Sequence, residues 1–194
     1  RSMEDSLSQS LHANAAEWYR VRKESPSESI EHIHHLHMSG DTEGLAGALS
    51  EEGHSLVKAG HIELLGILRV LEASLFGPRT RFVIHELTGD ILSIQGRWDE
   101  AEEQYDMALP IAAKHKLTTP LARIYSSRAD LAVKKGEMDN ALSLHKKALE
   151  MQIRLRDAQG AARSYNNMGY IFRRQRDNKR AIEVYGNVEE LLEL

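Results

Sequence analysis

The sequence predicts an all-α protein, with antiparallel helix pairs stacked into a right-handed superhelix, an α-solenoid. Three observations carry that expectation. Strong helix formers abound, whereas Phe, Tyr and Trp supply only 6% of the 194 residues and only four are proline. An anchor alanine recurs at Ala101, Ala141 and Ala181, 40 residues apart each time. Glycine stands where helices must stop and aspartate where they must start.

The elements follow in order. A first helix carries Leu11, Ala15, Trp18, Tyr19 and Arg22 on one face. Ser25-Pro26-Ser27-Glu28 reads as an N-cap, a proline at the first helical position and a capping-box glutamate. It opens a second helix over about 27–38, closed at Ser39-Gly40-Asp41. A third runs through Leu45, Leu49 and Leu56, and a fourth restarts after Gly60 and runs from Ile62 to Leu75. Gly77-Pro78 is the clearest break, so 1–77 reads as a helical lead-in of irregular hairpins and 78–194 as three 40-residue repeats. Six helices are expected there: about 79–95, 98–115, 119–135, 138–155, 158–175 and 178–193. Pro120 suits a helix start, and Pro110 should bend its helix or end it early.

The repeats share more than one alanine. Twelve residues before each anchor stands a small residue, Gly89, Ala129 or Gly169, which lets two helices approach closely. Four after it stands a ring, Tyr105, His145 or Tyr185, and seven after it Ala108, Ala148 or Val188. Gly96 and Gly136 tolerate the left-handed cap that ends the first helix of a pair, and Asp99 and Asp139 begin the second. This skeleton resembles the tetratricopeptide repeat (TPR), with a period of 40 in place of the usual 34.

A second resemblance lies upstream. Leu11-His12-Ala13-Asn14-Ala15-Ala16-Glu17-Trp18-Tyr19, then Ser29-Ile30-Glu31-His32 and Ser39-Gly40-Asp41-Thr42-Glu43, is similar to the segment after the winged-helix module of STAND-type signal-transducing ATPases, the class of the bacterial maltose-regulon activator. It implies the sensor arm of such an ATPase or transcriptional regulator, although the chain holds no phosphate-binding loop. The alternative is a freestanding adaptor. Arg1-Ser2 ahead of Met3 reads as a cloning remnant or a cut within a longer chain.

Composition narrows the function class. Cysteine is absent, no apolar run reaches the roughly 18–20 residues of a membrane span and no signal peptide opens the chain, which together suggest a cytoplasmic protein. Residues 114–180 hold 16 Lys/Arg against 6 Asp/Glu, whereas the remainder holds 9 against 23. Stacking aromatics are not interleaved with the basic residues, so no nucleic-acid partner is expected. No nucleophile elbow, metalloprotease motif or phosphate loop appears, so no enzyme and no cofactor are expected. His32, His34, His35 and His37 pair at i, i+3, but a helix divides them between faces and no metal is assigned.

Binding is therefore the expected role, in the groove lined by the first helix of each pair. Residues at i, i+3, i+7 and i+10 share that face. The rows are Val83, Glu86, Asp90, Ser93; then Arg123, Ser126, Asp130, Val133 with Lys134; then Arg163, Asn166, Tyr170, Arg173 with Asn167 and Arg174. Arg123 and Arg163 are equivalent one repeat apart, as are Lys134 and Arg174. Arginine forks and an asparagine amide suit carboxylates or an extended peptide backbone, so the partner is a protein or peptide, or a small effector. Glu86 and Asp90 stand where a chaperone-tail carboxylate clamp needs Lys and Asn, which argues against that use. Leu191, Leu192 and Leu194 suggest self-association through the last helix.

Overall fold

The structure, a computed structural model, describes residues 3–22, 25–72 and 76–192, with side chains described between 4 and 188. The described residues are helical, with no strand. The helices are α1 (Met3–Val21), α2 (Pro26–Ser39), α3 (Thr42–Ala48), α4 (His54–Lys58), α5 (Leu64–Glu72), α6 (Pro78–Ile94), α7 (Trp98–Lys114), α8 (Thr118–Lys135), α9 (Met138–Arg154), α10 (Ala158–Arg174) and α11 (Asn178–Leu192). A π-helical turn, Leu49–Gly53, joins α3 to α4 without a break. The chain forms two compact units, Arg1–Ala108 and Leu109–Leu194.

The helix ends repeat more finely than the sequence register suggests. Gly96, Lys116, Gly136, Arg156 and Arg176, 20 residues apart, are all left-handed, with φ of 77, 54, 83, 55 and 62°. At each, the next residue's N–H donates to a carbonyl five back: Arg97 to Leu92 (2.9 Å), Leu117 to Ala112 (2.9 Å), Glu137 to Ala132 (2.8 Å), Asp157 to Gln152 (2.9 Å) and Asp177 to Phe172 (2.9 Å). This cap satisfies carbonyls that a helix end otherwise leaves open. Gly40 and Gly60 in the first unit carry the same cap, also 20 residues apart. A side chain in the left-handed region costs about 1 kcal/mol or more. Arg176→Gly should therefore raise stability by about 1 kcal/mol, read as a higher urea midpoint with an unchanged m-value.

In the first unit α1 packs along α2, and α5 and α6 pack together. The Ser25 capping box forms as expected: its hydroxyl oxygen accepts from the Glu28 N–H (3.3 Å), and its own N–H donates to the Glu28 carboxylate (2.8 Å). α1 seats on its Ala16 side, leaving Leu11 and Trp18 outward. The fourth helix begins at Leu64 and not at Ile62, after a turn through 61–63. Pro110 does not end α7, which continues past it to Lys114.

In the second unit α8 packs with α9, α9 with α10 and α10 with α11, around Ala129, Ala141, Leu144, Ala161, Ile171, Phe172 and Ala181. The small-residue positions are contacts with rings. A Cβ on Gly89 would stand 2.5 Å from Tyr105, and one on Gly169 would stand 2.4 Å from Tyr185. Where the small residue is Ala129, the ring is the smaller His145. Gly89→Ala should cost about 1–3 kcal/mol in urea unfolding, because Tyr105 is fully buried and its O–H is tied to Asp90 at 2.6 Å. Gly169→Ala should cost less, because half-buried Tyr185 can swing outward.

Candidate functional site

The three rows have different fates. On α6, Val83, Glu86 and Ser93 are buried and Asp90 is half-buried, so this row does not line an open groove. The π-turn, α3 and α4 pack on α6, and Glu86, 1% exposed, lies 3.0 Å from His54 Nε2. The contrast with a carboxylate clamp thus reflects a packed face and not a repelling one.

On α8, Arg123 and Ser126 are half-buried, and Asp130 and Lys134 are exposed. Ser126 Oγ donates to the Ala122 carbonyl (3.3 Å) and accepts from Gln152 Nε2 (3.3 Å), while Ser164 Oγ donates to Gln152 Oε1 (2.7 Å). That chain joins α8, α9 and α10 through the interior and is structural. Gln152 and Ser164 escaped sequence reasoning because nothing marks which polar side chain of an amphipathic helix turns inward. Asp130 accepts from Asn167 Nδ2 at 2.8 Å, bracing α8 against α10. Asn167, half-buried, is thus a tie between the two helices.

On α10 the row is open. Arg163, Asn166, Tyr170 and Arg173 are all exposed, Tyr170 by 37%. The Arg173 and Arg174 guanidinium carbons lie 6.0 and 5.8 Å from the Tyr170 ring centre, and Arg174 Nη1 donates to Tyr170 Oη at 3.1 Å. Two cations about one ring hold its face and hydroxyl still while leaving guanidinium donors outward. Ser164, Met168, Ile171 and Phe172 face the interior, so the same helix is core on one side and polar platform on the other. At the α10–α11 turn, Asp139, Gln175, Arg176, Lys179 and Arg180 line a shallow concavity of about 630 Å³. Gln175 Nε2 donates to Asp139 there at 3.1 Å.

The histidines of α2 separate as the helix divides them. His32 Nδ1 lies 2.9 and 3.1 Å from the two carboxylate oxygens of buried Glu52. His35 Nδ1 lies 2.7 Å from His12 Nδ1 and its ring stacks on Tyr19, while His37 faces Phe76. Burial, with His12 and His34 beside it, pushes the His35 imidazole below its ordinary value. Among the described residues, no group of three or more His, Cys, Asp or Glu side chains is placed to hold a metal ion. Nor is any helix among them long and apolar enough to cross a membrane. Leu191, Leu192 and Leu194, the basis for expecting self-association through the last helix, fall outside the described side chains.

Paired antiparallel helices, close small-residue contacts with rings and a periodic cap define a recurrent design, and residues 120–193 match the tetratricopeptide repeat family. The fold is TPR-type. Solved structures agree along the chain. BtubC (BKLC) from P. vanneervenii is similar at a TM-score of 0.59 and 22% identity, over 98% of this chain and 74% of that one. MamA (41-end) from Desulfovibrio magneticus RS-1 is similar at a TM-score of 0.65 and 17% identity, over 96% of each chain. A Podosopora anserina kinesin light chain protein with nearly identical TPR-like repeats is similar at 0.57 and 16%, over 98% and 97%. No curated protein sequence matches.

Proposed function

We propose that the TPR-type array is a scaffold that binds a protein partner through the exposed face of α10, taking an extended, carboxylate-bearing peptide segment. The observation that carries this reading is the Arg163, Asn166, Tyr170, Arg173 row, outward along the helix with Arg174 bracing the ring. Guanidinium forks donate to carboxylates in bidentate geometry, and the asparagine amide can both donate to and accept from a peptide backbone. A small effector with carboxylate groups would use the same donors.

Peptides selected from a library against the wild-type chain should bind Arg163→Ala/Tyr170→Ala at least tenfold more weakly, with the helical circular dichroism unchanged. Unchanged affinity would place the site elsewhere. Asn167→Ala, which unties α8 from α10, separates positioning from contact: it should lower the thermal midpoint as well as the affinity.

A second reading attaches this array to a STAND-type ATPase as its sensor arm, where ligand on the α10 face would favour one state of the motor over another. The Ala15-Ala16-Glu17-Trp18-Tyr19 string of α1 supports it. A phosphate-binding loop encoded upstream in the same reading frame would establish that attachment, whereas a natural start at Met3 would leave the freestanding adaptor.

A further inference from the structure

α1 turns an apolar stripe away from the helix it packs along. Leu7, Leu11, Trp18 and Val21 are 63%, 61%, 47% and 72% exposed. With Asn14, also exposed, they are spaced 4, 3, 4 and 3 residues apart, the seam of a two-stranded helical pair. The helix cannot roll to bury this stripe against its own unit. Its opposite side is fixed by buried Ala16, by the 2.7 Å contact of His12 with His35, and by Tyr19 stacked on the His35 ring. At the C-terminal end the Arg22 guanidinium lies 4.6 Å from the centre of the Trp18 ring.

We infer that this stripe is an interface with a second copy of the same chain, the two α1 helices lying antiparallel. The charges choose the occupant and its direction. Glu4 begins the seam and Arg22 ends it, with Asn14 close to the midpoint. An antiparallel copy sets each Glu4 beside the Arg22 of the other, twice by symmetry, and brings the two Asn14 amides together at the axis. A parallel copy would set Glu4 against Glu4 and Arg22 against Arg22. The face is thus self-complementary in one orientation, which a closed two-fold contact requires. A polar residue inside an apolar seam fixes register at some loss of stability. The contact runs for about 22 Å of helix, which belongs with small, reversible interfaces and not with obligate ones.

The chain has no cysteine, which makes the test direct. Sedimentation equilibrium at about 100 µM, a concentration suited to a small reversible interface, should show a dimer that dissociates on dilution. Leu11→Glu/Trp18→Glu should be monomeric throughout with unchanged circular dichroism. Under mild oxidation Asn14→Cys should form a disulfide-linked dimer, while Val21→Cys, remote from its counterpart in an antiparallel pair, should not. A wild-type monomer at that concentration overturns the inference, since the stripe would then await a different partner. So does a dimer indifferent to the double substitution, or a Val21→Cys link formed in preference to Asn14→Cys.

Discussion

Between pH 6.5 and pH 4 the second unit should lose about 3 kcal/mol of stability through one side chain, His145. Its ring is 0% exposed between α8 and α9, and neither nitrogen makes a hydrogen bond. Nε2 comes within 3.5 Å of Asp130 Oδ1 without hydrogen-bond alignment, and that carboxylate already accepts from Asn167. Burial pushes the imidazole down from 6.5 to about 4. Because the folded value is the lower one, the unfolded chain takes up the proton first. The unfolded state is therefore favoured progressively as pH falls below 6.5, and the loss is largely complete by pH 4. At 1.36 kcal/mol for each pKa unit, the depression corresponds to about 3 kcal/mol. Urea unfolding of His145→Leu should lack this component. If wild type and variant lose stability in parallel from pH 7 to pH 4, the orphaned imidazole is not the cause. His35, in the first unit, is depressed in the same direction, so some acid sensitivity should persist in the variant.

The second large effect is a reversal of sign within one double-mutant cycle. His145→Tyr alone should destabilise by about 1–3 kcal/mol, because the larger ring meets the Ala129 methyl group in a space that the other repeats leave to glycine. Ala129→Gly alone should also destabilise, by about 1 kcal/mol, through a glycine in mid-helix and a gap beside a small ring. The two together rebuild the Gly89–Tyr105 arrangement. The new hydroxyl would face Asp130 as that of Tyr105 donates to Asp90 at 2.6 Å, and two unsatisfied buried nitrogens would be gone. The pair should therefore be at least as stable as wild type, with an interaction energy of about 2–4 kcal/mol in urea unfolding at pH 7. Additive losses would show that small residue and ring do not pack as a unit.

Much of the fold was legible because steric rules leave a periodic trace. The 40-residue spacing of Ala101, Ala141 and Ala181, and the small residue twelve before each, put the six helices of 78–194 within a residue or two of their places. The 20-residue period of the caps was hidden because Lys116, Arg156 and Arg176 occupy left-handed positions where glycine would have announced them. The burial of the α6 row was illegible for a different reason. Helical periodicity says which residues share a face, but only the π-turn and α4 lying across α6 decide that this face is covered. The exposed stripe of α1 shows the same gap: its apolar pattern is plain, yet the sequence suits an inward face as well as an outward one. For the candidate site, helical periodicity places Arg163, Asn166, Tyr170 and Arg173 on one face of α10, whereas the tie of Asn167 to Asp130, 37 residues away in sequence, depends on how α10 packs near α8.

The measurement that bears most directly on partner binding is a nuclear magnetic resonance titration with a library-selected peptide. The largest shifts are expected at Arg163, Asn166, Tyr170 and Arg173, with the Tyr170 ring signals moving most, and little change across buried α6. Shifts concentrated away from α10, with that row silent at saturation, would contradict it.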